Sequence, residues 1–317
     1  MPGENILAAV GETPLVRISR AVNPGPADVY VKLEEFNPGG SIKSRVALAM
    51  VQDAERRGQL EPGSGQTIIE ATGGNTGVGL CLVAAVKGYK VKLVVPDNFS
   101  REKISVLQAY GADVVLSDSS TGNDSHFRLV TAMMARGCEY VWLNQFTNPA
   151  NAAAHYEGTG EEIVAAFTRV DAFVAGVGSG GTITGAGRRL KEAWPTCRIY
   201  AVQPEGCDVL RGSAIPHRIQ ALALGFVPAV FDTSVVDSVE SIAYETATRT
   251  MKQLSRHDGL FVGVSSGANL SAALHVAGTM QEGDVVVTVA PDSGRSYVAS
   301  FTEAGCVVPG NAILNQI

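Results

Sequence analysis

A chain of 317 residues suits one large domain or two medium ones. Its composition, 45% apolar and 18% charged, is ample for a buried core and argues against disorder. The net charge of −6, with no basic block, gives nucleic-acid binding little electrostatic support.

The opening "MPGENILAAVGETPLV" lacks the charged and apolar regions of a signal peptide: Glu4 comes early, and Gly11 and Pro14 break the run. No apolar stretch is long enough to span a bilayer, so a soluble, cytoplasmic protein is expected. Cys81, Cys138, Cys197, Cys207 and Cys306 are scattered, odd in number and without CxxC spacing. That pattern predicts neither a disulfide framework nor a metal site. Cys81, inside "GLCLVAAV", reads as a small buried hydrophobe.

Strand-like and helix-like segments then alternate. Strands are expected at 28–34, 66–72, 90–97 and 113–118, and helices at 44–58, 75–88 and 100–112. Ser100 is a candidate N-cap, and Gly58, Gly88 and Gly111 are candidate helix ends. A second series follows, with strands at 172–178, 198–206, about 260–263 and 284–291, and helices at 184–195, 239–256 and 266–278. Apolar strand runs separated by helices indicate parallel sheets covered on both faces. The reading is α/β: two domains, each a mostly parallel twisted sheet flanked by helices, with the active site in the cleft between them. The smaller domain takes 40–150, and the larger takes 1–39 plus 151–317, the halves joining near "NQFTNPAN" (144–151). The final "VPGNAILNQI" (308–317) is moderately apolar and could pack against the body or a partner.

Three glycine-rich turns follow strands, where α/β sheets hold their ligands. "AGVGSGGTITGAG" (175–187) lets the backbone approach a ligand closely, and Ser179, Thr182 and Thr184 add hydroxyls. A phosphate fits this turn. A nicotinamide dinucleotide also fits, with Glu205 as its acidic partner. "EATGGNTG" (70–77) presents N–H groups with Thr72, Asn75 and Thr76 at a helix start, suited to a carboxylate or to ordinary capping. "APDSGRSY" (290–297) puts Asp292 and Ser293 at the end of the last strand. Lys43, in "NPGGSIKSRVAL", stands just past two turn-forming glycines, at the start of an apolar helix. Lysine amines form Schiff bases with aldehydes. Pyridoxal phosphate would explain Lys43, the 176–182 turn and Ser293 together, whereas a dinucleotide leaves Lys43 unexplained.

With those residues in view, the sequence resembles the cysteine synthase and cystathionine β-synthase family of fold type II pyridoxal-phosphate enzymes. The likeness runs through "GETPLVRI" (11–18), "KLEEFNPGGSIKSR" (32–45), "TGGNTGVGL" (72–80), "NQFTNPANAAAHYEGTGEEI" (144–163), "GVGSGGTITG" (176–185), "GFVP" (225–228), "SSGAN" (265–269) and "PDSGRSY" (291–297). The resemblance implies that Lys43 carries the cofactor as a Schiff base and acts as general base. Asn75 then bonds the cofactor's phenolic oxygen, and Gly178, Ser179, Gly180, Gly181 and Thr182 hold its phosphate. Ser293 faces the pyridine nitrogen, unless Asp292 takes that place. Thr72, Gly73, Gly74, Asn75, Thr76, Gln145 and Ala221 lie where the family binds substrate. His155 and His217 are read as structural. The implied chemistry is β-replacement on an O-activated serine- or threonine-type amino acid through an α-aminoacrylate, in a homodimer, the family's habit.

Two loops depart from the family. Its Thr-Ser-Gly-Asn-Thr is Thr72-Gly73-Gly74-Asn75-Thr76 here, which removes a hydroxyl and is expected to open space near the substrate. Its glycine-rich Gly-Ile-Gly-x-Gly-Phe is replaced in "HRIQALALGFVP" (217–228), where Ala221 and Ala223 stand for the first two glycines. These changes point to an altered substrate pair, including an amine nucleophile giving a diamino acid precursor. The alternatives are an ordinary O-acetylserine or O-phosphoserine sulfhydrylase or cystathionine β-synthase, a β-eliminating dehydratase, and a non-catalytic amino-acid sensor.

Overall fold

The computed structural model of the chain describes residues 4–122, 124–137 and 139–301. The 308–317 segment, Cys138 and Cys306 lie outside the described residues. The described strands form two sheets. The smaller holds β3 (Thr67–Ala71), β4 (Lys90–Pro96), β5 (Asp113–Ser117) and β6 (Tyr140–Trp142) in the order β5-β4-β3-β6, all parallel. The larger runs β1-β2-β10-β7-β8-β9, from β1 (Leu15–Arg17), β2 (Asp28–Leu33), β7 (Ala172–Gly176), β8 (Arg198–Pro204), β9 (Ser238–Ile242) and β10 (Val285–Ala290). Among the described strands of this sheet, only the β1–β2 pair is antiparallel.

The apolar runs follow from burial on both faces. Successive strand residues point to opposite sides. Thus Val286, Ala172, Val174, Tyr200 and Val202 join one core, packed on α9 (Val264–Gly278). Val287, Phe173, Ala175, Ile199 and Ala201 join the other, packed on α7 (Gly181–Ala193). The smaller sheet repeats this, with Ile68 and Leu93 on one face and Ile69 and Val94 on the other.

Helix boundaries obey local chemistry. Ser100 Oγ accepts the Lys103 N–H at 3.4 Å and caps α3 (Arg101–Ala109). Gly88, at φ 78°, ends α2 (Asn75–Lys87) in the left-handed conformation. Free Cys81, Cys197 and Cys207 are buried as small hydrophobes.

The structure corrects two expected elements. The 239–256 segment is not one helix: 238–242 is β9 on the edge of the larger sheet, and α8 begins at Tyr244 and ends at His257. The 260–263 strand reduces to a single bridge between Val262 and Ser293. The structure also adds β1, β6, α4 (Ser125–Ala135) and a connected run, α5 (Ala150–Ala154), a π-helical turn at His155–Gly160 and α6 (Glu161–Ala166). That run lies against α7 closely enough that a Cβ at Gly185 would overlap Ala152 O and approach Tyr156 N to 2.8 Å. Among the described residues no helix is long and apolar enough to cross a membrane.

Candidate active site

The segments singled out by sequence converge at the carboxyl ends of β3, β6, β7 and β10. Lys43 is the first residue of α1 (Lys43–Arg56). Just before it, Ile42 donates its N–H to Pro291 O at 2.8 Å and Ser41 bridges to Asp292. These bonds fix the start of α1 on the end of β10. Burial pushes the Lys43 amine down to about 8. The positive end of the α1 dipole favours the same neutral form.

After β3, Thr76 Oγ1 donates to Gln145 Oε1 at 2.7 Å, joining two expected carboxylate-binding residues. Thr72 Oγ1 accepts the Gly74 N–H at 3.3 Å and shapes the turn. Gly73 does not open the space that its lost side chain suggested. A Cβ there would lie 2.5 Å from Val95 Cγ1 and 2.7 Å from Phe99 Cδ1, so those side chains already fill the room. Asn75 Nδ2 donates to Asp292 Oδ2 at 2.8 Å. Tyr297 OH donates to the same oxygen at 2.8 Å, and Asp292 Oδ1 is buried without a partner. Burial raises the Asp292 pKa against the pull of those two hydrogen bonds. Ser293 instead turns to local work: its Oγ accepts the Arg295 N–H at 3.4 Å and reaches Phe261 O at 3.5 Å.

The turn after β7 is tightly enclosed. Gly180 has φ 82°, and a Cβ there would overlap Phe231. A Cβ at Gly181 would overlap Asn151 Oδ1, and one at Gly178 would overlap Ala221 O. Asn151 Nδ2 donates to Ser179 Oγ at 3.0 Å and to Gln145 O at 2.7 Å, tying this turn to the Gln145 loop. His155 is buried between Thr159 Oγ1 at 2.9 Å and Thr182 Oγ1 at 3.2 Å. Burial, then repulsion from Lys43 and Arg45, holds its pKa well below the usual histidine range, so the ring is neutral. His217 lies further out, with Nε2 at 3.4 Å from Ala223 O.

Three supporting groups escaped the sequence reading. Glu70, fully buried, accepts the Asn144 N–H at 2.9 Å and Trp142 Nε1–H at 3.3 Å. It thereby holds the turn before Gln145, where Asn144 takes φ 50°. Asn151 and Tyr297, which bonds the expected Asp292, are the others. Their motifs, "NPAN" and "PDSGRSY", were the available signals.

The family model for pyridoxal-phosphate dependent enzymes matches residues 6–292. The chain belongs to that family. Within it, the chain is 41% identical over 302 residues to a cysteine synthase of Staphylococcus aureus, covering 94% of this chain and 96% of the relative. It is 42% identical over 300 residues to an O-ureido-L-serine synthase of Streptomyces lavendulae, covering 94% and 91%. A crystal structure of O-ureido-L-serine synthase superposes with a TM-score of 0.91 at 40% identity, over 98% of each chain. This is therefore a fold type II pyridoxal-phosphate enzyme, related to the cysteine synthases.

The residues present fit that cofactor. The 178–181 turn leads directly into the N-terminus of α7, whose first N–H groups have no partner within the helix, which is a phosphate-binding arrangement. Lys43 offers an amine with a large neutral fraction near pH 8, as aldehyde capture requires. Asn75 commits one amide N–H to Asp292 and keeps a second, as a ring oxygen would need. We propose that residues 178–182 would hold the cofactor phosphate and Asn75 its ring oxygen.

Proposed function

We propose that the enzyme exchanges the β-substituent of an O-activated serine for an incoming nucleophile other than sulfide. The observation that carries this reading is Lys43. It is an amine with its pKa lowered to about 8, fixed on the strand end beside the glycine cradle. Pyridoxal phosphate, when bound, withdraws electrons from the amino acid and makes its Cα proton removable. The protein supplies the rest. The N–H groups of the 72–76 turn and the Gln145 amide, oriented by Thr76, hold the α-carboxylate. Lys43 Nζ takes the Cα proton and returns it to the product, a task suited to a base with a pKa near the working pH. His155, neutral and engaged by two threonines, does not compete for that proton.

The finer reading rests on two supports. Sequence identity is equally high to a relative named for cysteine and to one named for O-ureido-L-serine, products whose new β-atoms are sulfur and oxygen. The loop at Ala221 and Ala223 departs from the family pattern while the cofactor motifs do not. A serine-type donor is favoured over a threonine type, because Val95 and Phe99 fill the room beside Gly73.

The test is a mass-spectrometric product screen with O-acetyl-L-serine and O-phospho-L-serine against sulfide, thiols, amines and hydroxylamine-type nucleophiles. An oxygen or nitrogen nucleophile is expected to exceed sulfide in kcat/KM at least tenfold. The reverse order would return the enzyme to ordinary cysteine synthesis. Keto acid as the sole product would make it an eliminating lyase.

A further inference from the structure

Position 73 is glycine for want of space, not for backbone freedom. Gly73 lies outside the left-handed region, whereas neighbouring Gly74 has open space around its missing Cβ. A Cβ at 73 would stand 2.5 Å from Val95 Cγ1 and 2.7 and 2.9 Å from Phe99 Cδ1 and Cε1. Val95 is fully buried in β4 and meets the position through one Cγ that can swing about χ1. Phe99 presents a whole ring edge. Its place is set by the turn between β4 and α3, where its N–H donates to Pro96 O at 3.1 Å and Ser100 at once caps the helix. The ring packs against the smaller sheet's core, the cluster that holds Val95. It thus lies between that core and the missing Cβ of Gly73.

We propose that Phe99 is a specificity-determining residue, whose ring takes the volume of a position-73 side chain and denies the substrate pocket room for a β-methyl group. The proposal rests on the reading that the 72–76 turn holds the amino-acid substrate. Glycine at 73 and phenylalanine at 99 then form an exchangeable pair. Volume removed from one can be accepted at the other, and volume added to Gly73 alone cannot be seated.

The test compares wild type, F99A, G73S and G73S/F99A, each as apoprotein and as loaded enzyme. In the apoprotein, measured by urea unfolding, G73S is expected to destabilise and F99A to absorb most of that loss, so the double-mutant cycle is strongly non-additive. In the loaded enzyme, F99A is expected to raise the kcat/KM ratio of O-acetyl-L-threonine to O-acetyl-L-serine at least fivefold. G73S/F99A should bring that ratio back towards wild type. Additive stabilities would show that the two positions do not share volume and would overturn the proposal. Non-additive stabilities with an unchanged donor ratio would also overturn it, and would place the fault in the assignment of the 72–76 turn to substrate. If G73S yields too little folded protein, F99A alone still decides the donor ratio.

Discussion

Ala221 and Ala223 keep φ angles of 67° and 48°, in the left-handed region that favours glycine. An L side chain in that region costs on the order of 1–2 kcal/mol per residue. Neighbouring bonds enforce it: Ala223 donates its N–H to Val177 O at 2.9 Å, and Ala221 O closes over Gly178. Replacing either alanine by glycine relieves that strain but frees the unfolded chain by about 0.4–1 kcal/mol. The balance predicts that A221G and A223G are neutral or slightly stabilising in chemical denaturation. A loss of 1 kcal/mol or more in each would show that the positive φ is not strained. Glu70 gives a pH prediction. Burial raises its pKa from the ordinary 4.5 to about 7, against hydrogen bonds from Trp142, Ala71, Asn144 and Gln145. The stability gained by the neutral acid is full below about 4.5 and is lost as pH rises through about 7. Carrying the charge above that range costs on the order of 3 kcal/mol. Unfolding free energy should therefore fall between pH 5 and 8 relative to Glu70→Gln, and parallel curves would count against this assignment. The Ala substitutions were visible as departures from a pattern. Glu70 was not, because nothing in "TIIEAT" says that its carboxylate receives amides from another strand's end.

The start of α1 is held by charge. Arg45, two residues past Lys43, bonds Glu34 at 2.7 Å and also Glu162, which in turn bonds Lys32 at 2.7 Å. Lys32, Glu34 and Arg45 are nearly excluded from solvent. Although burial pushes the Glu162 carboxyl up, Arg45 and Lys32 draw it down to about 2. Removing one member strands its partner. Glu34→Ala is expected to cost about 3–5 kcal/mol, whereas Arg17→Ala, in an exposed pair with Asp28, should cost less than about 1 kcal/mol. Equal small losses in urea denaturation would remove the cluster's structural role. Sequence spacing could not reveal this cluster, since β2, α1 and α6 meet only in three dimensions. The same limit explains the 239–256 error. In "SVESI" the apolar residues Val239 and Ile242 stand three apart, a helical spacing that runs on into α8, whereas its strand form comes from pairing with β8. Long apolar strands and glycine-ended helices were readable because burial on both faces and left-handed termini impose their own residue choices.

Across the molecule, the two sheets direct their carboxyl ends at one place, and the glycine turns that mark those ends were plain in the sequence. We propose the division into 40–150 and 1–39 plus 151–317 on that basis, each part having its own sheet. The cross-links between the parts were not readable, because they join residues far apart along the chain. Asn75 and Asp292 are 217 positions apart, and Ser41 finds its bridge partner at that same Asp292. This wiring bears on how the protein is made. A growing chain on the ribosome exposes Lys43 long before β10, which fixes the lysine's surroundings, is translated. The carboxylate turn, which belongs to the smaller sheet, can form before then. The seat of the reactive amine cannot, so capture of the vitamin-derived aldehyde waits for β10 and cannot template the folding that comes before it.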